Sequence, residues 1–229
     1  MIRALIFDFD GTIIDSETPV YEGWQRTYAE HGHELPLARY VEIIGSAAHT
    51  FDPHAHLEGL IGRRLDREQL TAERQAKHRA VIYANDTLPG VRTWIEDATA
   101  RLMPLAIASS SQEAWIESNL SRLALRDRFH VVRTREMVAS AKPAPDLFLA
   151  ALAGLGMQPH EAIVIEDSAH GVTAATAAGL FTVAVPNPVT AGLDLSAADI
   201  VVPSLASLPL SAALTAAAAR GLRPAANAK

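Results

Sequence analysis

The sequence contains no cysteine among its 229 residues. Disulfide bonds, thiolate catalysis and cysteine-ligated zinc sites are therefore excluded. Basic residues are not in excess either, since 20 lysines and arginines stand against 26 aspartates and glutamates, for a formal net charge of −6. Nucleic-acid binding depends on a basic face that neutralises phosphates, so this balance argues against a nucleic-acid partner. A small phosphorylated ligand remains compatible with it, because local charge can oppose the net charge.

The sequence also lacks a long apolar segment. Its longest apolar stretch, near Leu147–Met157, is much shorter than the roughly 18 residues that a transmembrane helix needs. The apolar start of the chain is interrupted at Asp8, which makes it too short for a signal peptide. We therefore expect a soluble, cytoplasmic protein with no membrane partner. For its assembly we expect a monomer or a weak dimer.

Short apolar runs alternate with helical stretches along most of the chain. Helices that separate buried strands in this way are typical of βαβ units, so the pattern predicts an α/β fold with a parallel sheet. The predicted strands are Ala4–Phe7, Leu105–Ala108, His130–Val132, Ala162–Ile165, Phe181–Val185 and Asp199–Val202. The predicted helices are Gly90–Leu102, Gln112–Leu123, Asp146–Leu155 and Gly171–Ala178, with a last helix after Ser211.

The segment from Asp15 to Ala84 does not follow this alternation. It has the periodicity of amphipathic helices, for example at Tyr21, Trp24 and Tyr28, and no clear buried strand. A turn-rich stretch then leads back to the alternating pattern. The sequence therefore predicts a core made of residues 1–14 and 86–229, with a helical insertion at residues 15–85.

Candidate catalytic groups follow the predicted strands, at the sheet edge where ligands bind in open α/β folds. After the first strand, one of Asp8 and Asp10 could act as a nucleophile and the other could move a proton. After the strand near residue 165, Glu166 and Asp167 suggest a site for a hard cation, with Mg²⁺ as the default. Alternatively, these acids could cap helices or face water.

Serines and a lysine complete the set. Ser109, Ser110 and Ser111 offer hydroxyl and N–H groups for an anion, although serine is also a common helix N-cap. Lys142 precedes a proline-rich turn and could neutralise a phosphate and a carboxylate together, or it could be a solvated loop residue. Together these residues supply a nucleophile, a proton carrier, an anion-binding site, a cation and metal ligands. Phosphoryl transfer needs this combination of groups.

With these residues in this order, the sequence resembles the haloacid dehalogenase superfamily, in the branch of β-phosphoglucomutase and the sugar-phosphate and phosphoglycolate phosphatases. The resemblance implies a doubly wound (Rossmann-like) core with a helical cap domain inserted after the first strand. It covers nearly the whole chain. The motifs that carry it are Phe7-Asp8-Phe9-Asp10-Gly11-Thr12 with Asp15-Ser16, Ala108-Ser109-Ser110-Ser111, Ala141-Lys142-Pro143-Ala144-Pro145-Asp146, and Ile165-Glu166-Asp167-Ser168 with Gly171.

The resemblance also implies roles. Asp8 would be the nucleophile that forms an aspartyl-phosphate, and Asp10 would protonate the leaving oxygen and then activate water. Ser109 would bind the phosphoryl oxygens with Ser110 beside it, and Lys142 would bridge the phosphate and Asp8. Mg²⁺ would be held by Asp8, the backbone carbonyl of Asp10 and Asp167, with Glu166 in a supporting role.

The resemblance leaves the substrate open. We expect a Mg²⁺-dependent phosphatase for a small, sugar-phosphate-like monoester. A β-phosphoglucomutase-type mutase is the nearer alternative, although Val20 replaces the histidine of the β-phosphoglucomutases and the stretch from Gly45 to His49 lacks their arginine. A non-catalytic protein that binds a phosphorylated ligand is the other alternative. From the cap, Ser16 and His49 are the candidate substrate-binding residues.

Candidates elsewhere in the cap have weaker support. Trp24 and Lys77 could face the core, but packing within the cap is the better expectation for Trp24. A phosphonatase would need a cap lysine that forms an imine, and nothing in the sequence marks Lys77 as desolvated. The His54-Ala55-His56 pair is expected to be a solvated loop rather than a metal site.

Overall fold

A six-stranded parallel sheet forms the centre of the computed structural model, which describes residues 1–44 and 51–221. Its strand order is β3-β2-β1-β4-β5-β6, so the chain winds outward from β1 in both directions. The predicted doubly wound α/β fold is thus confirmed. The strands are β1 (Ala4–Phe7), β2 (Leu105–Ala108), β3 (Val131–Arg133), β4 (Ala162–Glu166), β5 (Phe181–Ala184) and β6 (Ile200–Val201).

Helices cover both faces of the sheet, which explains why the strands β1 and β2 are apolar at every position. Successive residues of a strand point to opposite faces, and β1 follows this rule. Leu5 and Phe7 pack in one hydrophobic cluster, whereas Ala4 and Ile6 pack in the other. The helices of these layers are α5 (Val91–Ala100), α6 (Glu113–Arg122), α7 (Asp146–Leu155), α8 (Ala169–Ala177) and α9 (Leu210–Gly221).

The segment from residue 15 to residue 84 is helical where the structure describes it, as predicted. Trp24, Tyr28 and Leu57 of this segment belong to a hydrophobic cluster distinct from those of the sheet, which Val189 joins from the loop after β5. Trp24 is buried and packs edge-on against Tyr28, in agreement with the packing role expected for it. The α-helices of this segment are α1 (Glu17–Glu30), α2 (Leu37–Tyr40), α3 (Pro53–Ile61) and α4 (Arg67–Ala84).

The two histidines of the His54-Ala55-His56 pair take part in this packing instead of lying in a solvated loop. His56 Nδ1 lies 2.9 Å from the hydroxyl of Tyr28, and His54 Nε2 lies 3.3 Å from Oγ1 of Thr71. The expectation that they are solvated was therefore wrong, because α3 turns both rings towards neighbouring helices. Within the described residues, no helix is long and apolar enough to cross a membrane.

Candidate active site

The strand order brings the candidate residues together at the carboxyl edge of the sheet. β1 pairs with β2 on one side and with β4 on the other, so the residues that follow these three strands are neighbours. The ladder continues into the site, since Asp8 N donates to the carbonyl of Ile165 at 2.9 Å and Ser109 N donates to that of Arg133 at 3.0 Å. Because these backbone bonds fix the main chain, the site sits on rigid elements at the point where the sheet winds in both directions.

Lys142 is the cation at the centre of this group. Its ammonium donates to Oδ1 of Asp8 and, at 2.6 Å, to Oε1 of Glu166. The lysine is only 2% exposed, so the alternative of a solvated loop lysine is wrong. A buried ammonium requires such partners because an unpaired charge is costly in a low-dielectric interior.

Glu166 is held by both of its carboxylate oxygens. Oε2 accepts hydrogen bonds from Asp167 N at 2.9 Å, from Ser168 N at 2.9 Å and from Ser168 Oγ at 3.0 Å, while Oε1 accepts from Lys142. The helix cap is supplied instead by Ser168, whose Oγ accepts from Gly171 N at the start of α8. Helix capping by Glu166 or Asp167, which the sequence left open, is therefore not what these acids do.

Asp167 lies beside Asp8 and is 1% exposed. Its Oδ2 accepts from Nδ2 of Asn187 at 2.7 Å, and its Oδ1 accepts from the hydroxyl of Thr12 at 3.4 Å. Gly11 allows this approach: it has a φ of +78°, and a Cβ atom there would lie 2.3 Å from Oδ2 of Asp167.

The three buried carboxylates could hold a metal ion. Ligand oxygens of Asp8, Glu166 and Asp167 all lie within 4.8 Å of one another. Burial raises the pKa of Asp8 to about 7 even though Lys142 opposes the shift, and burial together with the charge of Glu166 raises the pKa of Asp167. Three carboxylates around one ammonium leave an excess of negative charge, which a hard cation with oxygen ligands would neutralise. The residues present therefore fit a divalent ion, and two of them, Asp8 and Asp167, line the cavity above the cluster.

Asp10 contacts α6 and the loop before it. Its Oδ2 accepts from the hydroxyl of Ser111 at 2.6 Å, and its Oδ1 accepts from Nε1 of Trp115 at 2.9 Å. The serines do not cap α6, which begins after Gln112 without a side-chain cap. Ser109 is buried, and its hydroxyl accepts from Ser111 N at 3.1 Å.

A cavity of about 510 Å³ opens above these groups. Seven predicted site residues line it, namely Asp8, Asp10, Ser16, Ser109, Ser110, Ser111 and Asp167. The hydroxyl of Ser16 is buried and has no hydrogen-bond partner in the described part of the chain. Lys142 and Glu166 lie below the cavity floor, and His49 falls outside the described residues.

The cavity has a second wall, formed by the helices between β1 and β2. Glu17 comes from α1, and Gln75, His78 and Arg79 come from α4. Burial and the nearby charges of Asp10, Asp8 and Asp15 raise the pKa of Glu17 to about 8. Within residues 1–44 and 51–221, Nδ1 of His78 is buried without a hydrogen-bond partner. This wall is rich in polar groups that a ligand could satisfy.

Comparison with known proteins agrees with this geometry. The sequence profile of the family described as "Haloacid dehalogenase-like hydrolase" matches residues 5–185. The chain belongs to this family. The resemblance stated from the motifs is thus confirmed, together with the assignment of the chain to the hydrolases.

Relatives of this hydrolase cover most of its length. The protein named "Putative phosphatase YhcW" from Bacillus subtilis (strain 168) is 39% identical over 92% of this chain and 96% of its own length. Fructose-1-phosphate phosphatase YqaB from Escherichia coli (strain K12) is 32% identical over 77% of this chain and 93% of its own. A crystal structure of β-phosphoglucomutase from Clostridium difficile has a TM-score of 0.76 at 25% identity, covering 97% of this chain and 100% of that one.

Some residues of the hydrolase's site were not predicted from the sequence. Asn187 follows β5, so the rule that pointed to Asp8 and Glu166 would have found it. Trp115 lies in the first turn of α6, and no local signal marks it as a contact of Asp10. Glu17 adjoins Ser16, whereas no local signal marks Gln75, His78 or Arg79, because only the packing of α4 decides which residues face the cavity.

Proposed function

We propose that this chain is a Mg²⁺-dependent phosphatase that hydrolyses a small, sugar-phosphate-like monoester through an aspartyl-phosphate. The observation that carries the proposal is the contact of Lys142 with both Asp8 and Glu166, directly below a cavity lined by Asp8, Asp10 and Asp167. Positioning and charge stabilisation are the main requirements of phosphoryl transfer, and this cluster can supply both.

In the proposed reaction, Asp8 attacks phosphorus and the ester oxygen leaves with a proton from Asp10. Asp10 then takes a proton from a water molecule that attacks the aspartyl-phosphate, which releases inorganic phosphate and restores both acids. Ser109 and Ser110 donate to the phosphoryl oxygens, and Lys142 keeps Asp8 oriented. Mg²⁺, held by Asp8, Asp167 and the carbonyl of Asp10 with Glu166 in support, would supply positive charge to the transferring group.

We assign substrate choice to residues 15–85, acting as a cap domain on the core of residues 1–14 and 86–229. The separate hydrophobic cluster of this segment and its contribution of one cavity wall support the assignment. The unpartnered hydroxyl of Ser16 suits a contact with the substrate, and His49 stays a prediction of the sequence. The relative named fructose-1-phosphate phosphatase supports a sugar-phosphate ester as the substrate class.

A cytoplasmic location and a monomeric or weakly dimeric state of the protein also remain predictions.

A phosphosugar mutase is the second candidate, because the chain is similar in fold to β-phosphoglucomutase. Val20 lines the cavity at the position where β-phosphoglucomutases resemble one another in having histidine, and an apolar side chain there cannot donate or accept a proton. Incubation with a hexose 1-phosphate separates the two activities. Release of free phosphate supports the phosphatase, and accumulation of hexose 6-phosphate supports the mutase.

The decisive experiment is a phosphate-release screen over phosphorylated metabolites, with Mg²⁺ and with a chelator. We expect turnover that needs Mg²⁺, that Asp8→Asn abolishes and that the matched control Asp127→Asn, at an exposed position, retains. An Asp8→Asn variant as fast as the wild type would contradict covalent catalysis. Ligand binding without turnover across the whole screen would favour a non-catalytic binding protein.

A further inference from the structure

Trp115 connects the candidate proton carrier to helix α6. Its indole N–H donates to Oδ1 of Asp10 at 2.9 Å, while Ser111, which precedes α6, donates to Oδ2 at 2.6 Å. An indole nitrogen is only a donor, so Asp10 must be the acceptor in this contact. The two contacts together hold the Asp10 side chain in one orientation.

The same tryptophan also contacts the end of α4. Its ring stacks on that of Tyr83, with the ring centroids 6.1 Å apart and the planes inclined by 22°. Arg122, from the last turn of α6, donates to the carbonyl of Asn85 at 2.7 Å and to that of Ile82 at 3.0 Å. Helix α6 therefore touches both Asp10 and the point where the cap returns to the core.

Helix α4 carries Gln75, His78 and Arg79 on the cavity wall. A ligand that contacts this wall would act on the position of α4, and α4 meets Trp115 through Tyr83. The orientation of a proton carrier matters strongly for the rate, because proton transfer requires hydrogen-bond geometry to the reacting oxygen.

We propose that Trp115 is a positioning residue for Asp10, and that its stack on Tyr83 makes the orientation of Asp10 depend on where the end of α4 lies. The inference rests on the proposed function, since it requires Asp10 to carry the proton. It also implies that a ligand bound to α4 affects the orientation of Asp10 through Tyr83 and Trp115.

The experiment compares leaving groups, using p-nitrophenyl, phenyl and methyl phosphate. A weakly basic p-nitrophenolate leaves without a proton, whereas the more basic phenoxide and methoxide need one. Trp115→Phe keeps the ring and removes the N–H, so we expect a loss in kcat of about tenfold for methyl and phenyl phosphate, a loss below about threefold for p-nitrophenyl phosphate, and little change in KM. An equal loss for all three esters, or no loss, would overturn the proposal.

Two variants of Tyr83 test the connection to α4. Tyr83→Leu removes the stack and leaves the indole N–H intact, and Tyr83→Phe is its matched control. We expect Tyr83→Leu to show the same dependence on the leaving group, with a loss of about threefold for methyl phosphate, and Tyr83→Phe to behave as the wild type. A Tyr83→Leu variant with wild-type rates for every ester would overturn the connection. Tyr83 is 41% exposed, so these variants test it even if Trp115→Phe does not fold.

The inference and the proposed function fail in different ways. If the proposed function is wrong, the wild type gives no turnover that depends on Asp8. If only the inference is wrong, the wild type turns over all three esters through Asp8 and the variants lose rate uniformly or not at all.

Discussion

The ammonium nitrogen of Lys142 lies 2.6 Å from Oε1 of Glu166, and both side chains are only 1% exposed. Removing Lys142 leaves the carboxylates of Asp8 and Glu166 buried without a cation, and removing Glu166 leaves the ammonium with Asp8 alone. Breaking a buried ion pair typically costs about 3–5 kcal/mol. We therefore expect Lys142→Met and Glu166→Gln each to lower the free energy of unfolding strongly in urea titrations. Lys142→Met should also abolish phosphate release, because Asp8 loses the cation that orients it.

The double variant makes this prediction sharper. Because the two residues share one interaction, Lys142→Met with Glu166→Gln should be less destabilised than the sum of the single variants. Lys77→Met, at an exposed position of α4, is the control and should leave stability nearly unchanged. Strictly additive losses would show that the two side chains do not stabilise each other.

Gly171 provides a steric test of the same cluster. A Cβ atom at this position would lie 1.7 Å from Oε1 of Glu166, so Gly171→Ala must displace the carboxylate that Lys142 contacts. Helix propensity alone predicts the opposite sign, since alanine is favoured over glycine in a helix by about 1 kcal/mol. We expect lower stability in urea titrations and a loss of phosphate release.

Gly23 in α1 is the matched control for that variant, because a Cβ atom there would meet nothing within 4 Å. Gly23→Ala should be neutral or stabilising and should retain activity. If both alanine variants behave alike, the close approach of Gly171 to Glu166 does not constrain the site.

The candidate active site at the carboxyl edge of the sheet could be predicted from the sequence wherever local patterns determine it. Asp8, Ser109 and Glu166 each follow a short apolar strand, and parallel strands bring their carboxyl ends to one edge, so adjacency follows from fold class alone. The partners of Lys142 needed the fold or the family resemblance, because the strand before this residue, β3, ends well upstream at Arg133. The contact of Trp115 with Asp10 links residues 105 positions apart, and neither periodicity nor spacing encodes it.

Arg79 should affect binding more than catalysis. It lines the cavity, and within the described ranges no hydrogen bond or ion pair engages its guanidinium, which leaves it available to an anionic group of the substrate. We expect Arg79→Gln to raise KM by about tenfold for an ester with a second anionic group and to leave p-nitrophenyl phosphate unaffected.

Lys77→Gln is the control for that measurement, since Lys77 lies two residues away on α4 and lines a different, much smaller hollow. It should leave KM unchanged for both esters. A similar rise in KM in both variants would point to the general charge of α4 rather than to a specific contact of Arg79.

Metal dependence and pH dependence should be coupled at Asp8. Burial raises its pKa to about 7, and the proposed attack on phosphorus requires the ionised form. A divalent cation stabilises that form, so protons and Mg²⁺ compete for the carboxylate. We expect Mg²⁺ affinity to fall as the pH is lowered through 7, and the midpoint of the acidic limb of the rate profile to move to lower pH as Mg²⁺ increases. A midpoint that is the same at limiting and saturating Mg²⁺ would exclude this competition.

Glu58 should make the helical segment sensitive to acid. Its carboxylate accepts from Nη2 of Arg67 at 2.6 Å and from the backbone N–H of Leu65 at 3.1 Å, and chiefly the Arg67 contact lowers its pKa from 4.5 to about 2. A carboxylate whose pKa is depressed by folding stabilises the native state above its unfolded pKa, and that contribution is lost as the pH falls towards the folded value. The difference in free energy of unfolding between wild type and Glu58→Gln should therefore be constant above about pH 5 and shrink steadily below it.

Urea titrations from pH 7 downward measure this difference, with the exposed Glu68→Gln as the control variant. A difference that stays constant or grows on acidification would mean that the Arg67 contact does not stabilise the ionised form.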